Sequence, residues 1–166
     1  MKVSIDIKHY LPHRTPMLMV DMTVEMTDKM VETVFTPKQD NIFLQNNVFV
    51  EAGLIENAAQ TCSSIVAKGF YVDENNQDRE NVDVIGFISA LKILKIHSLP
   101  ALGSTINTTA TLASTFVTDD YTLCTMSCKT FCKEKLLLEG EINLFIQENK
   151  SVPSDTSARE QAKQKQ

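Results

Sequence analysis

The spacing of apolar residues changes character several times along the chain, and each change predicts an element. Apolar residues recur densely from Met17 to Glu25, and the segment Met30 to Phe35 alternates Met30, Glu32 and Val34 against Val31, Thr33 and Phe35, which predicts two strands joined by the turn Met26-Thr27-Asp28-Lys29. A polar, proline-marked stretch from Pro37 to Asn47 follows. The pattern then becomes helical at VFVEAGLIENAAQTCSSIVAKGF, where Ala52, Ile55, Ala59, Cys62 and Val66 keep helical spacing and Leu54, Ala58 and Ile65 widen the stripe until little polar face remains. Such a helix is mostly buried. Its small residues, among them Ala52, Gly53, Ala58, Ala59, Ser63 and Ser64, let a sheet approach the backbone closely, and Gly69 supplies a stop signal.

Beyond a charged, Asn-rich loop from Asp73 to Asp83, four β segments are expected at Val84–Ile96, Ser104–Val117, Tyr121–Lys133 and Leu136–Gln147. Their links are short, so neighbours run antiparallel. The opening MKVSIDIKHYLPHRTP reads as a short strand or arm followed by a turn. Two strands, one buried helix and a strand meander make an α+β domain whose antiparallel sheet curls around the helix, the hotdog arrangement. Residues 1–148 form this single domain, and residues 149–166, almost without large apolar side chains, read as a flexible polar tail.

Composition narrows the function. The 166 residues are 43% apolar, enough for one sizeable core, and carry 16 basic against 21 acidic side chains. A net charge of −5 disfavours a general nucleic-acid binder, which needs a basic surface to neutralise phosphates. The apolar runs fall short of the roughly 18–20 residues that span a bilayer, and no basic-then-apolar leader opens the chain, so a soluble cytoplasmic protein without membrane contact is expected. Cys124, Cys128 and Cys132 lie in a strand-forming run where residues four apart stand about 13 Å from each other, too far to share a metal ion. They read as buried small hydrophobes, and no metal is expected. No phosphate loop, nucleotide motif or Ser-His-Asp arrangement is found.

One acidic residue stands out. Glu56 sits inside the apolar helix, with Glu51 before it and Gln60 one turn after. Burial would push a carboxyl there toward its neutral form, the property of a general acid; the plain alternative is a side chain turned to solvent at the helix edge. The surrounding residues resemble a known family. Leu11-Pro12-His13-Arg14-Thr15-Pro16-Met17-Leu18-Met19-Val20-Asp21 is similar to the LPHRxPxLLVD opening of the FabZ-type 3-hydroxyacyl-acyl-carrier-protein dehydratases. Glu56-Asn57-Ala58-Ala59-Gln60 matches the family's E-A-M-A-Q motif at Glu, second Ala and Gln, and Gly86-Phe87-Ile88 through Lys95, His97 and Gly103 resembles the strand and turn that follow. The likeness spans about Leu11 to Gln147, and its compact opening resembles the paired dehydratases of pigment and aryl-polyene pathways.

The resemblance implies elimination of water from a 3-hydroxyacyl thioester on an acyl carrier protein, with no cofactor. Glu56 takes the acid role by motif position, and amides at the helix start from Glu51 to Gly53 would stabilise the enolate oxygen. The family's base is a His fourteen residues before the Glu. That position is Ile42, and no His lies between His13 and His97, which leaves His13 as the nearest replacement by motif. Substrate contacts are expected from Gly53, Gln60, Ile55, Phe87 and Ile88, with Ala59 and Ile85 completing an apolar tunnel. Arg14, Lys92 and Lys95 are the expected docking residues for the acidic carrier protein. The family also implies a homodimer, or a heterodimer with a related hotdog subunit. Three readings follow: a divergent dehydratase, a dehydratase subunit needing a partner to complete its site, and a hotdog acyl thioesterase using Glu56 to position water. A noncatalytic acyl-binding or scaffolding role is the fourth.

Overall fold

The computed structural model describes residues 7–71, 77, 79 and 82–148. A short 3-10 turn at Ile7–His9 leads through an irregular segment to β1 (Met22–Met26) and β2 (Met30–Phe35). A two-strand hairpin, β3 (Leu44–Gln45) and β4 (Val48–Phe49), delivers the chain to α1 (Glu51–Tyr71). Four strands follow: β5 (Val84–Ile96), β6 (Ile106–Val117), β7 (Thr122–Cys132) and β8 (Lys135–Glu148). The main sheet has the order β1-β2-β6-β7-β8-β5, with antiparallel pairing throughout. One helix lies against this six-stranded sheet, the hotdog fold.

Alternation along the strands builds the core. Ile142, Leu144 and Ile146 of β8 are buried against the helix, as are Cys124, Met126 and Cys128 of β7. From the helix, Leu54, Ala58 and Cys62 meet them with no exposed surface. Each fully buried Leu or Ile stabilises the fold by roughly 1.5–3 kcal/mol. Three small details differ from the sequence-based expectation. The first strand begins at Met22 rather than Met17, because side chains of α1 take the backbone hydrogen bonds of Met17 and Met19 that a strand would otherwise satisfy. The helix runs on past Gly69 to Tyr71. A helical Gly costs about 1 kcal/mol relative to Ala, and Phe70 and Tyr71 beyond it pack against the core. Within the polar stretch, Asn46 and Asn47 adopt left-handed backbone angles of φ 50° and 62°, which makes the tight β3–β4 turn.

At the sheet edge, β5 pairs on one side only among the described residues, with β8. Its register slips between Lys92 and Lys95, where Ile93 and Leu94 bulge over Gly140. A β-carbon on Gly140 would lie 2.7 Å from Leu94 Cα, so glycine is required by the close approach. Ile93 sits on the bulge at φ 49° and is 79% exposed. The expected loop 73–83 is described only at residues 77, 79, 82 and 83, and the expected tail 149–166 lies outside the described residues. No helix among the described residues is long and apolar enough to cross a membrane.

Candidate functional site

The segment from Leu11 to Val20 crosses α1 at the turn that carries Glu56, and the helix holds it by its backbone. Gln60 Oε1 accepts from the Met19 amide at 2.8 Å, and Gln60 Nε2 donates to the Met17 carbonyl at 2.7 Å. Asn57 Nδ2 donates to the Met19 carbonyl at 2.7 Å. Upstream, the Met17 and Leu18 amides both donate to the Arg14 carbonyl, closing a turn that begins beside His13. Arg14 spends its guanidinium on the carbonyls of Leu11, His13 and Lys8 at 2.7, 2.8 and 3.2 Å, so it braces this turn from outside.

These anchors bring His13 and Glu56 together. His13 Nε2 stands 3.7 Å from Glu56 Oε1, with the side chains 31% and 23% exposed. The carboxylate is therefore neither fully buried nor turned freely to solvent. Its Oε1 also accepts from Gln60 Nε2 at 2.8 Å, which fixes its orientation. The other imidazole nitrogen, Nδ1, is buried with no hydrogen-bond partner among the described residues. An oxygen about 2.8 Å from each facing atom, an ordinary hydrogen-bond length, closes a triangle with the 3.7 Å side. A hydroxyl can thus bridge the pair from the front without any separation of the two groups.

His13 continues into a cleft lined by Tyr10, Leu11, Ser63, Ala67, Tyr71 and Gly86, with a volume of about 30 Å³. Burial and the neighbouring Asp83 raise the Tyr71 hydroxyl above its ordinary range, opposed by Arg14. A volume of that size holds a water or two and no acyl chain.

The other expected site residues are dispersed. Gly53 is closed off by the chain itself: a β-carbon there would lie 2.5 Å from Phe43 Cβ and from Phe49 Cε2. At the helix start only Glu51 and Ala52 are exposed. Gln60 is 1% exposed and its amide already donates twice, so it positions other groups and has no spare donor for a substrate. Ala59 is buried in the core, and Ile55 and Ile88 are half-buried against it. Phe87 faces away from the helix: strand alternation turns Ile88 toward the core, and the Phe87 ring stacks on Phe145 with centroids 4.8 Å apart. Ile85, two residues earlier, shares that outer face and is 48% exposed. Lys92 and Lys95 are exposed on β5 but pair in register with Glu141 and Glu139, and Glu139 also meets His97 at 3.0 Å and Lys129 at 4.0 Å. That strand face is mixed in charge.

Three of the four cysteines lie on β7, Cys124 and Cys128 buried and Cys132 half-buried. Among the described residues no cluster of three His, Cys, Asp or Glu side chains could hold a metal ion. The polar group that the sequence reading passed over is Asn57, fully buried and bonded to Thr108 Oγ1 at 2.6 Å. Its signal was available as the one amide inside the apolar stripe where the resembling motif has Ala.

A family model described as ApeP-like, ApeP dehydratase, matches residues 5–154. The chain belongs to the ApeP-like dehydratase family. The dehydratase resemblance of its opening motif is thereby borne out. Among solved structures, the ApeP-like chain is similar to the dehydratase heterocomplex ApeI:P from Xenorhabdus doucetiae, at 18% identity and a TM-score of 0.70, covering 89% of this chain and 93% of that one. It is also similar to a sigma28-regulated virulence protein from Campylobacter jejuni, at 12% identity and TM-score 0.56, covering 80% and 79% of the two chains. A hypothetical thioesterase with coenzyme A from Streptococcus pneumoniae aligns at 11% identity and TM-score 0.53, covering 78% and 87%. At these identities the structural likenesses establish the hotdog fold alone. No curated protein matches this ApeP-like chain.

Proposed function

We propose that this chain is a subunit of a hotdog dehydratase that removes water from a 3-hydroxyacyl thioester presented by an acyl carrier protein, with Glu56 as general acid and His13 as base. The observation that carries the reading is the 3.7 Å approach of His13 Nε2 to Glu56 Oε1, held by Gln60 on one side and the Arg14 turn on the other. In the proposed reaction His13 takes the proton beside the thioester carbonyl while Glu56, entering in its protonated form, gives its proton to the departing β-hydroxyl. Water and the 2-enoyl thioester leave. The imidazolium and carboxylate are then adjacent, so a proton passed from one to the other restores the starting pair. The amides of Glu51 and Ala52, exposed residues at the start of α1, are the proposed stabilisers of the enolate oxygen.

Two features favour a paired assembly. The cleft beside His13 is too small for an acyl chain, which supports a tunnel completed by a second subunit. The outer edge of β5 presents unpaired backbone flanked by Ile85, Phe87, Leu91 and Ile93, each between 45% and 79% exposed, which suits strand-to-strand docking of a related hotdog subunit. One of the similar solved structures, the dehydratase ApeI:P, is itself a heterocomplex, which supports the same reading. Lys92 and Lys95 remain the proposed contacts for the carrier protein, and polyene or fatty-acid synthesis in the cytoplasm the proposed setting.

The test is turnover of a 3-hydroxyacyl carrier protein by the purified chain, alone and with a related hotdog subunit, followed by mass spectrometry of the carrier. The 2-enoyl product is expected, falling by about 10²–10⁴-fold in Glu56→Gln and in His13→Gln, the usual size of an acid–base contribution. Release of free acid without the enoyl product selects a thioesterase, and full turnover by both variants removes these two residues from the chemistry.

A further inference from the structure

The polar residues beneath the site form one connected network that the motif alone does not require. Thr33, Thr108 and Thr130 stand in a single row across β2, β6 and β7, all fully buried. The Thr108 hydroxyl donates to Asn57 Oδ1 at 2.6 Å, so it accepts from Thr130 Oγ1, 2.9 Å away. On the helix, the Thr61 hydroxyl donates to the Asn57 carbonyl at 2.9 Å and so accepts from Thr33 Oγ1 at 2.7 Å. Every hydroxyl direction in the row is fixed by its neighbours. Both the side chain and the carbonyl of Asn57 are thus tied to the sheet, and its Nδ2 reaches the Met19 carbonyl.

A buried amide is costly to place in a core unless its hydrogen bonds are satisfied. Here they are, and their far end is the segment that carries His13. Resting on the function proposed above, we propose that Asn57 is a positioning residue that fixes the His13 imidazole against the Glu56 carboxylate, acting through the Met19 carbonyl and the Arg14–Leu18 turn. The two reacting groups come from distant parts of the chain. Their separation is set by two amide side chains of the same helix, Gln60 gripping Met17 and Met19 and Asn57 gripping Met19 from the sheet side. A displacement of about 1 Å at such a pair can cost 10²-fold in rate. Where the resembling motif has Ala, this chain has taken on a device that suits a base supplied from the opening turn.

Two readouts test this. In the dehydration assay with the related hotdog subunit present, Asn57→Ala is expected to lower kcat/KM by about 10–100-fold, and Thr108→Ser, which keeps the hydroxyl, to retain activity. In a His13→Gln background the same Asn57→Ala change should add less than about threefold, because the group it positions is gone. The second readout needs no turnover. The chain has three histidines, so the His13 imidazole can be followed by NMR. Its signal should shift on Glu56→Gln in the parent protein, and Asn57→Ala should abolish that response while leaving the His97 signal in place. If Asn57→Ala does not fold, Thr108→Val carries both readouts. An unchanged His13 response to Glu56→Gln, or an Asn57→Ala cost that multiplies in full with that of His13→Gln, overturns the proposal. Should His13→Gln and Glu56→Gln both turn over normally, it is the dehydratase mechanism that fails, and the NMR response alone then judges the positioning role.

Discussion

The Gln60 amide nitrogen donates to Glu56 Oε1 at 2.8 Å and to the Met17 carbonyl at 2.7 Å, so one group orients the acid and anchors the turn that bears its partner. Replacing Gln60 by Leu keeps the bulk but leaves the buried Met19 amide and the Met17 carbonyl unpaired. An unsatisfied buried group costs about 1–3 kcal/mol, and urea titration of Gln60→Leu should register a loss of at least that size. A midpoint equal to the parent's would mean that water or a shifted backbone meets both groups.

Gly53 is where the hairpin and the helix touch. Because Phe43 and Phe49 occupy the space of a side chain, Gly53→Ala should destabilise the fold despite the better helix propensity of Ala. Overpacking of this kind costs about 1–3 kcal/mol, against a propensity gain of at most about 1 kcal/mol. A thermal melt of Gly53→Ala at or above the parent's would show that the two rings move aside cheaply.

The unpaired edge of β5 gives a direct handle on assembly. Leu91 lies in register with the buried Ile142 yet is 45% exposed. Leu91→Glu puts a charge where an incoming strand would bury apolar surface, and is expected to weaken association by tenfold or more in analytical ultracentrifugation. Unchanged association would move the interface to another face.

Lys92→Glu with Lys95→Glu leaves four acidic side chains facing one another across β5 and β8 at Lys92, Lys95, Glu141 and Glu139. Binding of an acidic carrier protein should fall several-fold at low salt and converge with the parent as salt screens the difference. Equal affinity at low ionic strength would clear these lysines of any docking role.

The buried thiols predict a pH dependence. A hydrogen bond shared with Cys128, together with burial, holds the Cys62 thiol well above its ordinary range, and burial raises the Cys124 thiol against a smaller opposing bond from Thr115. The bond with Cys62 lowers Cys128, whose burial opposes it. Unfolded thiols start losing their protons near pH 8.5, while Cys62 and Cys124 keep theirs in the folded chain. The unfolded state then binds fewer protons, so this contribution is complete below that pH and declines as pH rises through the alkaline range. The lowered Cys128 acts in the opposite sense, so the check is made on Cys124: urea midpoints measured under reductant from pH 7.5 to 10 should fall less in Cys124→Ala than in the parent.

Much of this was readable in the sequence because it rests on periodicity. The run Val84–Ile96 is rich in Val, Ile and Leu and bounded by turn residues, and its limits are those of β5. The nearly all-apolar helix required a sheet wrapped around it, and α1 has one. The site was legible only in part. Glu56 stood out as a lone carboxylate in an apolar stripe, but the stretch Met17–Val20 looked like a strand, since its apolar spacing carries no sign that Asn57 and Gln60 would take its backbone bonds. The hydrophobicity of Phe87 does not tell which face of the sheet it occupies. That is decided by register against Phe145, a contact between residues distant along the chain.

Both outer strands of the sheet break their rhythm, β1 between Thr23 and Glu25 and β5 where Ile93 and Leu94 ride over Gly140. A strand laid along β5 can follow it only up to that kink, with a lysine on either side of it. Bulges and edge lysines of this kind limit the length over which a further strand can extend the sheet, which disfavours open-ended edge-to-edge growth.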